Sequence, residues 1–166
     1  TNAIELEPKT VVYYSYRATA YYAKNLYDKA VGDYTKMIEL EPEEPNYYSN
    51  RGDAYREMKQ YKEALKDYDK ALQLSKKRSD NDVSQSYHYN ERGWTYFLLK
   101  EYDKAIDDSD KAVKLDPQNH YAWDTRGNGY LAKGMYDKAI ADFTKALEIY
   151  PDDPEYYKNR GNAYTK

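Results

Sequence analysis

Residues 120–153 read HYAWDTRGNGYLAKGMYDKAIADFTKALEIYPDD, and the rest of the chain repeats this stretch in altered form. Its first half carries a bulky, a small and a bulky residue at Trp123, Gly127 and Tyr130. Spacings of four and three residues place these side chains on one face of an α-helix, whereas a β-strand would require alternation. The first half therefore predicts an amphipathic helix.

The second half of the stretch predicts another helix. Its small and apolar residues recur at helical spacing at Tyr136, Ala139, Phe143 and Ala146. Pro151 then closes the unit, because proline lacks a backbone N–H and clashes with the preceding turn. The stretch is therefore two helices joined by a short turn near residues 133–134.

The small residue of the first helix recurs at Ala18, Gly52, Gly93, Gly127 and Gly161. The steps between these positions are 34, 41, 34 and 34 residues. Two helices approach closely where one side chain nearly vanishes, and a ring from the neighbouring helix can fill the gap. Helical hairpins repeated at this period predict an all-α solenoid.

The period divides the chain into four complete units and two partial ones. We expect residues 1–10 to be the end of a preceding repeat and residues 154–166 to be the first helix of a further, truncated repeat. Both ends cut through the period, so we expect a segment of a longer solenoid. The complete units are 11–44, 45–85, 86–119 and 120–153, and the second of them carries a seven-residue insertion.

This unit resembles the tetratricopeptide repeat (TPR) family, whose pattern has Trp, Leu, Gly and Tyr, then Ala and Phe, then Ala and Pro. The matching residues are Trp123, Gly127, Tyr130, Ala139, Phe143, Ala146 and Pro151. The other units have Tyr in place of Trp, and they have Tyr or, in the third unit, Ser109 in place of Phe. Arg stands where the family has Leu. The resemblance implies a right-handed superhelical solenoid of antiparallel helix pairs.

Two charged residues recur with the period. An arginine precedes the small residue in every first helix, at Arg17, Arg51, Arg92, Arg126 and Arg160. An aspartate follows the first alanine of every complete second helix, at Asp33, Asp67, Asp108 and Asp142. We hypothesise a repeated salt bridge within each unit or with the next. The alternative is that both residues lie on solvated faces.

The insertion falls in residues 75–86. Seven residues are about two helical turns, so the insertion can lengthen one or both flanking helices without rotating their faces. Residues 79–82 are the expected loop. The segment is either a protruding contact element or a surface insertion that the fold tolerates.

Composition and motifs argue against several classes of protein. The 29 acidic and 26 basic residues give a net charge of −3, which argues against a nucleic-acid partner. The mean hydropathy of −1.16 and the absence of a long apolar run argue against membrane insertion. No cysteine is present, so there is no disulfide scaffold. Tyrosine is the abundant aromatic residue, with 23 Tyr beside 2 Phe and 2 Trp, so the interior must consist largely of tyrosine rings.

Nothing in the sequence indicates catalysis. The two histidines, His88 and His120, lie in separate units, and no metal-binding histidine motif, nucleophile elbow or phosphate-binding glycine loop occurs. Asp103, Asp107 and Asp110 share a helix face, but interleaved lysines favour a solvated surface over a metal site. We expect no enzyme activity, no catalytic residues, no metal and no cofactor.

The remaining function is binding. The resemblance implies a concave groove, lined by the first helix of each unit, that holds a peptide or a partner protein. Asparagine amides in this groove can bind a peptide backbone, and its aromatic and acidic residues suit an apolar or basic peptide. The predicted site residues are Tyr16, Thr19, Asn50, Asp53, Tyr87, Asn90, Glu91, Trp94, Phe97, Tyr121, Asp124 and Asn128.

Some members of the family bind the acidic C-terminal tail of chaperones through a two-carboxylate clamp. The corresponding positions here are Ser15, Thr19, Asn50, Tyr87 and Glu91. Only Asn50 fits, and Glu91 would repel an acidic ligand, so we expect no chaperone-tail clamp. Two alternatives to a groove-binding scaffold stay open: self-association through the open repeat ends, head-to-tail or as an oligomer, and a regulatory segment of a larger enzyme.

Overall fold

The computed structural model describes residue 7 and residues 9–166, and every regular element in this part of the chain is an α-helix. The predicted all-α helical repeat solenoid is confirmed. The expected end of a preceding repeat, residues 1–10, lies mostly outside the described residues. The helices are α1 (Val11–Ala23), α2 (Tyr27–Leu40), α3 (Pro45–Glu57), α4 (Tyr61–Arg78), α5 (Asp82–Leu98), α6 (Tyr102–Leu115), α7 (His120–Ala132), α8 (Tyr136–Ile149) and α9 (Pro154–Tyr164).

The chain forms two compact units, Thr1–Arg78 and Ser79–Lys166, which we call unit 1 and unit 2. Unit 1 contains α1 to α4, and unit 2 contains α5 to α9. Within each unit, consecutive helices pack against each other. The division into the individual repeats given above stays a prediction.

The turn within each helix pair contains one residue with positive φ. At the end of α1 this residue is Asn25, with φ of 58°. The N–H of Leu26 then bonds the carbonyl of Tyr21, and the N–H of Asn25 bonds that of Tyr22, both at 2.9 Å. These bonds satisfy the last carbonyls of the helix and reverse the chain. The equivalent residues in the later pairs are Lys59, Lys100 and Gly134.

In two helix pairs an aromatic ring of the second helix packs onto the small residue of the first, whereas Ser109 takes this place beside Gly93. Tyr68 and Phe143 are fully buried. A Cβ atom added to Gly52 would lie 2.9 Å from Cε1 of Tyr68, and one added to Gly127 would lie 2.7 Å from Cε1 of Phe143. A ring therefore occupies the space that the missing side chain leaves, as the sequence pattern predicts.

The hypothesised salt bridge is confirmed within each of four helix pairs. Both carboxylate oxygens lie 2.6 to 2.8 Å from guanidinium nitrogens in Arg17–Asp33, Arg51–Asp67, Arg92–Asp108 and Arg126–Asp142. The aspartates are buried, so the alternative of two solvated faces is wrong. The hydrogen bond to Asp67 raises the pKa of Arg51.

The arginines also contact the preceding helix pair. Arg51 Nη1 donates to Thr35 Oγ1 at 3.1 Å, and Arg126 Nη1 donates to Asp110 Oδ1 at 2.9 Å. Each of these guanidinium groups therefore joins three helices, because its fork holds one carboxylate while the remaining nitrogen reaches a second acceptor.

The insertion lengthens both helices beside it. Helix α4 has 18 residues and α5 has 17, while the other helices have at most 14. The expected loop, 79–82, is one residue too long, because Asn81 Oδ1 accepts the N–H of Ser84 at 2.8 Å and caps α5 from Asp82 onward. The added turn of α4 is paired within unit 1, where Lys77 contacts Glu43 at 2.8 Å and Arg78 contacts Glu44 at 2.5 Å.

Candidate functional site

The first helices of unit 2 lie side by side. Helix α5 contacts α7, and α7 contacts α9, while the second helices α6 and α8 stand farther apart. The face formed by α5, α7 and α9 is therefore the inner side of this unit, and we call it the inner face. The predicted site residues of unit 2 lie on two of its helices: Tyr87, Asn90, Glu91, Trp94 and Phe97 on α5, and Tyr121, Asp124 and Asn128 on α7.

A buried hydrogen bond joins α5 to α7. Thr125 Oγ1 donates to Asn90 Oδ1 at 3.0 Å, and Asn90 Nδ2 donates to Glu91 Oε1 at 3.1 Å. Asn90 is only 5% exposed. The sequence predicts this amide as a peptide-binding group, whereas in the structure its oxygen accepts a hydrogen bond that connects α5 to α7.

A second polar cluster joins α7 to α9. Asn159 Nδ2 donates to Asp124 Oδ1 at 3.0 Å, and Asn128 Nδ2 donates to Asp124 Oδ2 at 3.0 Å. Burial, with a smaller effect of the nearby carboxylates of Asp153 and Glu155, raises the pKa of Asp124 to about 6. The cluster thus places a carboxylate between two amides in a partly dehydrated position.

The aromatic residues of the inner face form separate groups. Trp94 stacks on Phe97 with ring centroids 5.0 Å apart, and Phe97 in turn contacts Tyr102 at 5.7 Å. Tyr87 is 41% exposed and Tyr121 is 61% exposed. Of the four aromatic residues predicted for the site in unit 2, the structure brings Trp94 and Phe97 into contact with each other.

One contact on this face was not foreseen from the sequence. His120 Nδ1 lies 2.7 Å from the hydroxyl of Tyr156, which is 3% exposed. Burial lowers the pKa of His120 and raises that of Tyr156. The two residues stand 36 positions apart, so neither helical periodicity nor the 34-residue step points to their contact.

The predicted site residues of unit 1 lie on α1 and α3. Tyr16 is 73% exposed, and the hydroxyl of Thr19 donates to the carbonyl of Ser15 on its own helix. Asp53 accepts a hydrogen bond from the hydroxyl of Tyr68 at 2.7 Å and lies 3.3 Å from Arg56 Nη2. The charge of Asp53 is therefore compensated. Asn50 is partly buried beside these groups on α3.

Two aspartates on the acidic face of α6 form ion pairs. Asp103 pairs with Lys133, and Asp110 pairs with Arg126 and Lys114. In residue 7 and residues 9–166, no group of three or more His, Asp or Glu side chains is arranged to hold a metal ion. Within the same range, each helix is too short or too polar to cross a membrane.

Sequence comparison places the chain in a family. A family profile for the tetratricopeptide repeat matches residues 43–118, and a profile for the TPR repeat matches residues 18–58 and 127–166. The chain belongs to the tetratricopeptide repeat family. Proteins built from these repeats are in general non-catalytic scaffolds for protein–protein interaction, and the fold of this chain is of that kind.

Solved structures share the fold at low sequence identity. TTC0263, a thermophilic TPR protein of Thermus thermophilus, is 21% identical with a TM-score of 0.79, and the match covers 99% of this chain and 87% of that one. YrrB is 24% identical with a TM-score of 0.71, covering 99% and 81%. The APC/C hetero-tetramer Cut9–Hcn1 gives 21% identity and a TM-score of 0.86, covering 98% of this chain and 31% of the matched chain. No curated protein sequence matched significantly.

Proposed function

We propose that the chain is a non-catalytic scaffold that binds a peptide or a partner protein on the inner face of unit 2. The observation that carries this proposal is the exposure of Tyr87 and Tyr121 on the same face as the polar cluster around Asp124. Exposed aromatic residues beside hydrogen-bonding groups are typical of protein interaction sites.

Two of the structurally similar proteins support this proposal. YrrB is a TPR protein described as having an unusual peptide-binding site, and Cut9 was solved in a hetero-tetramer with Hcn1. Both show that proteins with this fold engage peptides or other chains. At this low sequence identity the two proteins support the fold of this chain and not its ligand. The ligand has to be identified by experiment.

Unit 1 offers a smaller set of contacts. We assign Tyr16, Thr19, Asn50 and Asp53 to partner binding within that unit. Tyr16 is its most exposed aromatic group on α1, whereas the carboxylate of Asp53 is already held by Arg56 and Tyr68. We therefore expect substitutions of Tyr16 to affect binding more than substitutions of Asp53.

The test begins with a pulldown that uses the chain as bait and continues with the purified prey. Binding to the wild type is compared by isothermal titration calorimetry with a double variant, Trp94→Ala with Asn128→Ala. Tyr164→Ala is the control, since this residue is 67% exposed on α9 and was not a predicted site residue. Tyr164 follows Gly161 by three positions, as Tyr130 follows Gly127, and Tyr130 packs on Ala139 and Phe143 of α8. This position therefore lies on the side of the first helix that faces away from the inner face. Loss of affinity in the double variant alone supports the proposal, and equal affinity of all three proteins contradicts it.

Self-association and a regulatory role in a larger enzyme stay predictions from the sequence. A mass that rises with concentration in light scattering would support self-association. If the prey of the pulldown binds equally well to the double variant, Trp94→Ala with Asn128→Ala, that result favours either alternative over the proposed scaffold.

A further inference from the structure

Asp124 is half-buried, and its partners differ from those of the four buried aspartates. Asp33, Asp67, Asp108 and Asp142 are each held by the two-nitrogen fork of an arginine. Asp124 instead accepts hydrogen bonds from two neutral amides, those of Asn128 and Asn159. In the part of the chain that the structure describes, no Lys, Arg or His side chain forms an ion pair with it.

The surroundings of Asp124 disfavour its negative charge. The charged groups near it include the carboxylates of Asp153 and Glu155, and both repel it. A desolvated charge without a counter-charge is costly, and an opposite charge supplied at short range recovers part of that cost. A bound cation would therefore complete an arrangement that the chain itself leaves unbalanced.

The two amides add further acceptors. Each turns its nitrogen toward Asp124, and within the described residues the side-chain oxygens of Asn128 and Asn159 make no hydrogen bond. The cluster thus offers a carboxylate and two carbonyl oxygens. An ammonium group carries three donors and a guanidinium five, with no acceptor in either, so a cation matches this set of acceptors.

An aromatic side chain stands beside the cluster. Tyr121 lies one helical turn before Asp124 on α7 and is 61% exposed. Lysine and arginine carry an aliphatic stem that packs on apolar surface while the charged end stays with its partner. The neighbouring helix α5 contributes Glu91, bonded to Asn90, which also favours a positively charged ligand.

We propose that Asp124, Asn128 and Asn159 form a subsite for a cationic group of the bound partner. The group is the ammonium or guanidinium of a basic side chain, or the free N-terminal ammonium of a peptide. The proposal rests on the proposed function, since it names the chemistry that the inner face selects. It also explains why the inner face places two amides around a single acidic side chain.

The probe for this subsite is a positional-scanning library of amidated hexapeptides, made with free and with acetylated N-termini. Binding is measured for the full chain, for Asp124→Asn, and for Asp137→Asn. Asp137 is exposed on α8, so its substitution changes the net charge equally without touching the inner face. Circular dichroism confirms that all three proteins are folded under the binding conditions.

If a basic side chain is the ligand, we expect Lys or Arg to be selected at one position among the acetylated peptides. If the N-terminal ammonium is the ligand, we expect only the peptides with a free amine to bind. Replacing the selected cation by a neutral group, norleucine or an acetylated N-terminus, should weaken binding to the wild type and to Asp137→Asn roughly tenfold or more, and to Asp124→Asn less than about twofold. Trp94→Ala should weaken binding of the same peptide, which places it on the inner face.

Two results overturn the proposal in different ways. Peptides that bind the inner face without preferring a cation, or a preference that Asp124→Asn leaves unchanged, refute the subsite and leave the proposed function intact. If no peptide of either library binds the wild type, peptide binding itself is contradicted and the subsite with it.

Discussion

Arg126 and Asp142 form a two-nitrogen salt bridge between α7 and α8, with Nε 2.8 Å from Oδ2 and Nη2 2.8 Å from Oδ1. The aspartate is buried and the side chain of the arginine is 13% exposed. The same guanidinium group bonds Asp110 on α6 and lies 4.7 Å from the ring centroid of Trp123. One side chain thus connects three consecutive helices of unit 2.

Arg126→Ala should destabilise the chain strongly. The substitution leaves Asp142 buried without its counter-charge, and breaking such a pair costs about 3–5 kcal/mol. Urea unfolding followed by circular dichroism measures the change. Lys145→Ala, which removes an exposed pair with Glu148, is the control and should cost less than about 1 kcal/mol. Similar losses for the two variants would show that the buried bridge contributes no more than a surface pair.

Gly52→Ala should destabilise the chain, whereas Gly161→Ala should not. A Cβ atom at Gly52 would lie 2.9 Å from the ring of Tyr68, whereas nothing lies within 4 Å of a Cβ atom at Gly161. Overpacking at Gly52 should cost about 1–3 kcal/mol. At Gly161 alanine should be neutral or stabilise by up to about 1 kcal/mol, because it is the better helix former. Thermal unfolding of the two variants checks this, and a stable Gly52→Ala variant would argue against close packing of the ring.

Asp124→Asn should gain stability relative to the wild type as the pH rises. The pKa of Asp124 is raised from 3.8 to about 6, so the folded state favours the protonated form. The stabilisation that the folded wild type gains from a protonated Asp124 is present below pH 4 and is lost as the pH rises through 6. An asparagine at this position stays neutral, so its contribution to stability does not fall over this range. The difference between variant and wild type should therefore grow by about 1–3 kcal/mol between pH 4 and pH 7.5.

Urea unfolding of both proteins at these two pH values measures that difference. Asp137→Asn controls for the change in net charge. A difference that is the same at both pH values, or that grows in the opposite direction, would mean that the folded protein does not disfavour the charge of Asp124.

An acidic peptide should not bind the chain. Glu91 stands where a positive side chain would be needed, and the cluster around Asp124 presents a carboxylate to the ligand. Like charges brought together on dehydration repel, so the peptide Met-Glu-Glu-Val-Asp should show no binding up to millimolar concentration in fluorescence anisotropy. Micromolar binding of this peptide would refute the expectation.

The repeated contacts of the structure can be predicted from the sequence. The spacing of Gly52 and Tyr68 predicts a ring packed on a small residue, and the structure has that contact. The periodic Arg and Asp predict a salt bridge that occurs in four helix pairs. These features repeat, so each helix pair supports the interpretation of the others.

The polar contacts of the inner face could not be derived in the same way. Two hydrogen bonds on this face each join residues 35 positions apart, one between Asn90 and Thr125 and one between Asn159 and Asp124. Which partner each side chain chooses depends on the distance and rotation between neighbouring first helices, and both are set by the packing of whole helix pairs. Helical periodicity places all four residues on the first helices and leaves their partners open.

Site-specific crosslinking tests most directly whether a partner binds the inner face of unit 2. The photoreactive residue benzoylphenylalanine is placed at Tyr121 or at Tyr164, which are 61% and 67% exposed, and each protein is irradiated with its purified partner. We expect a covalent product from position 121 and none from position 164. A product from position 164 alone, or equal yields from both positions, would contradict this expectation.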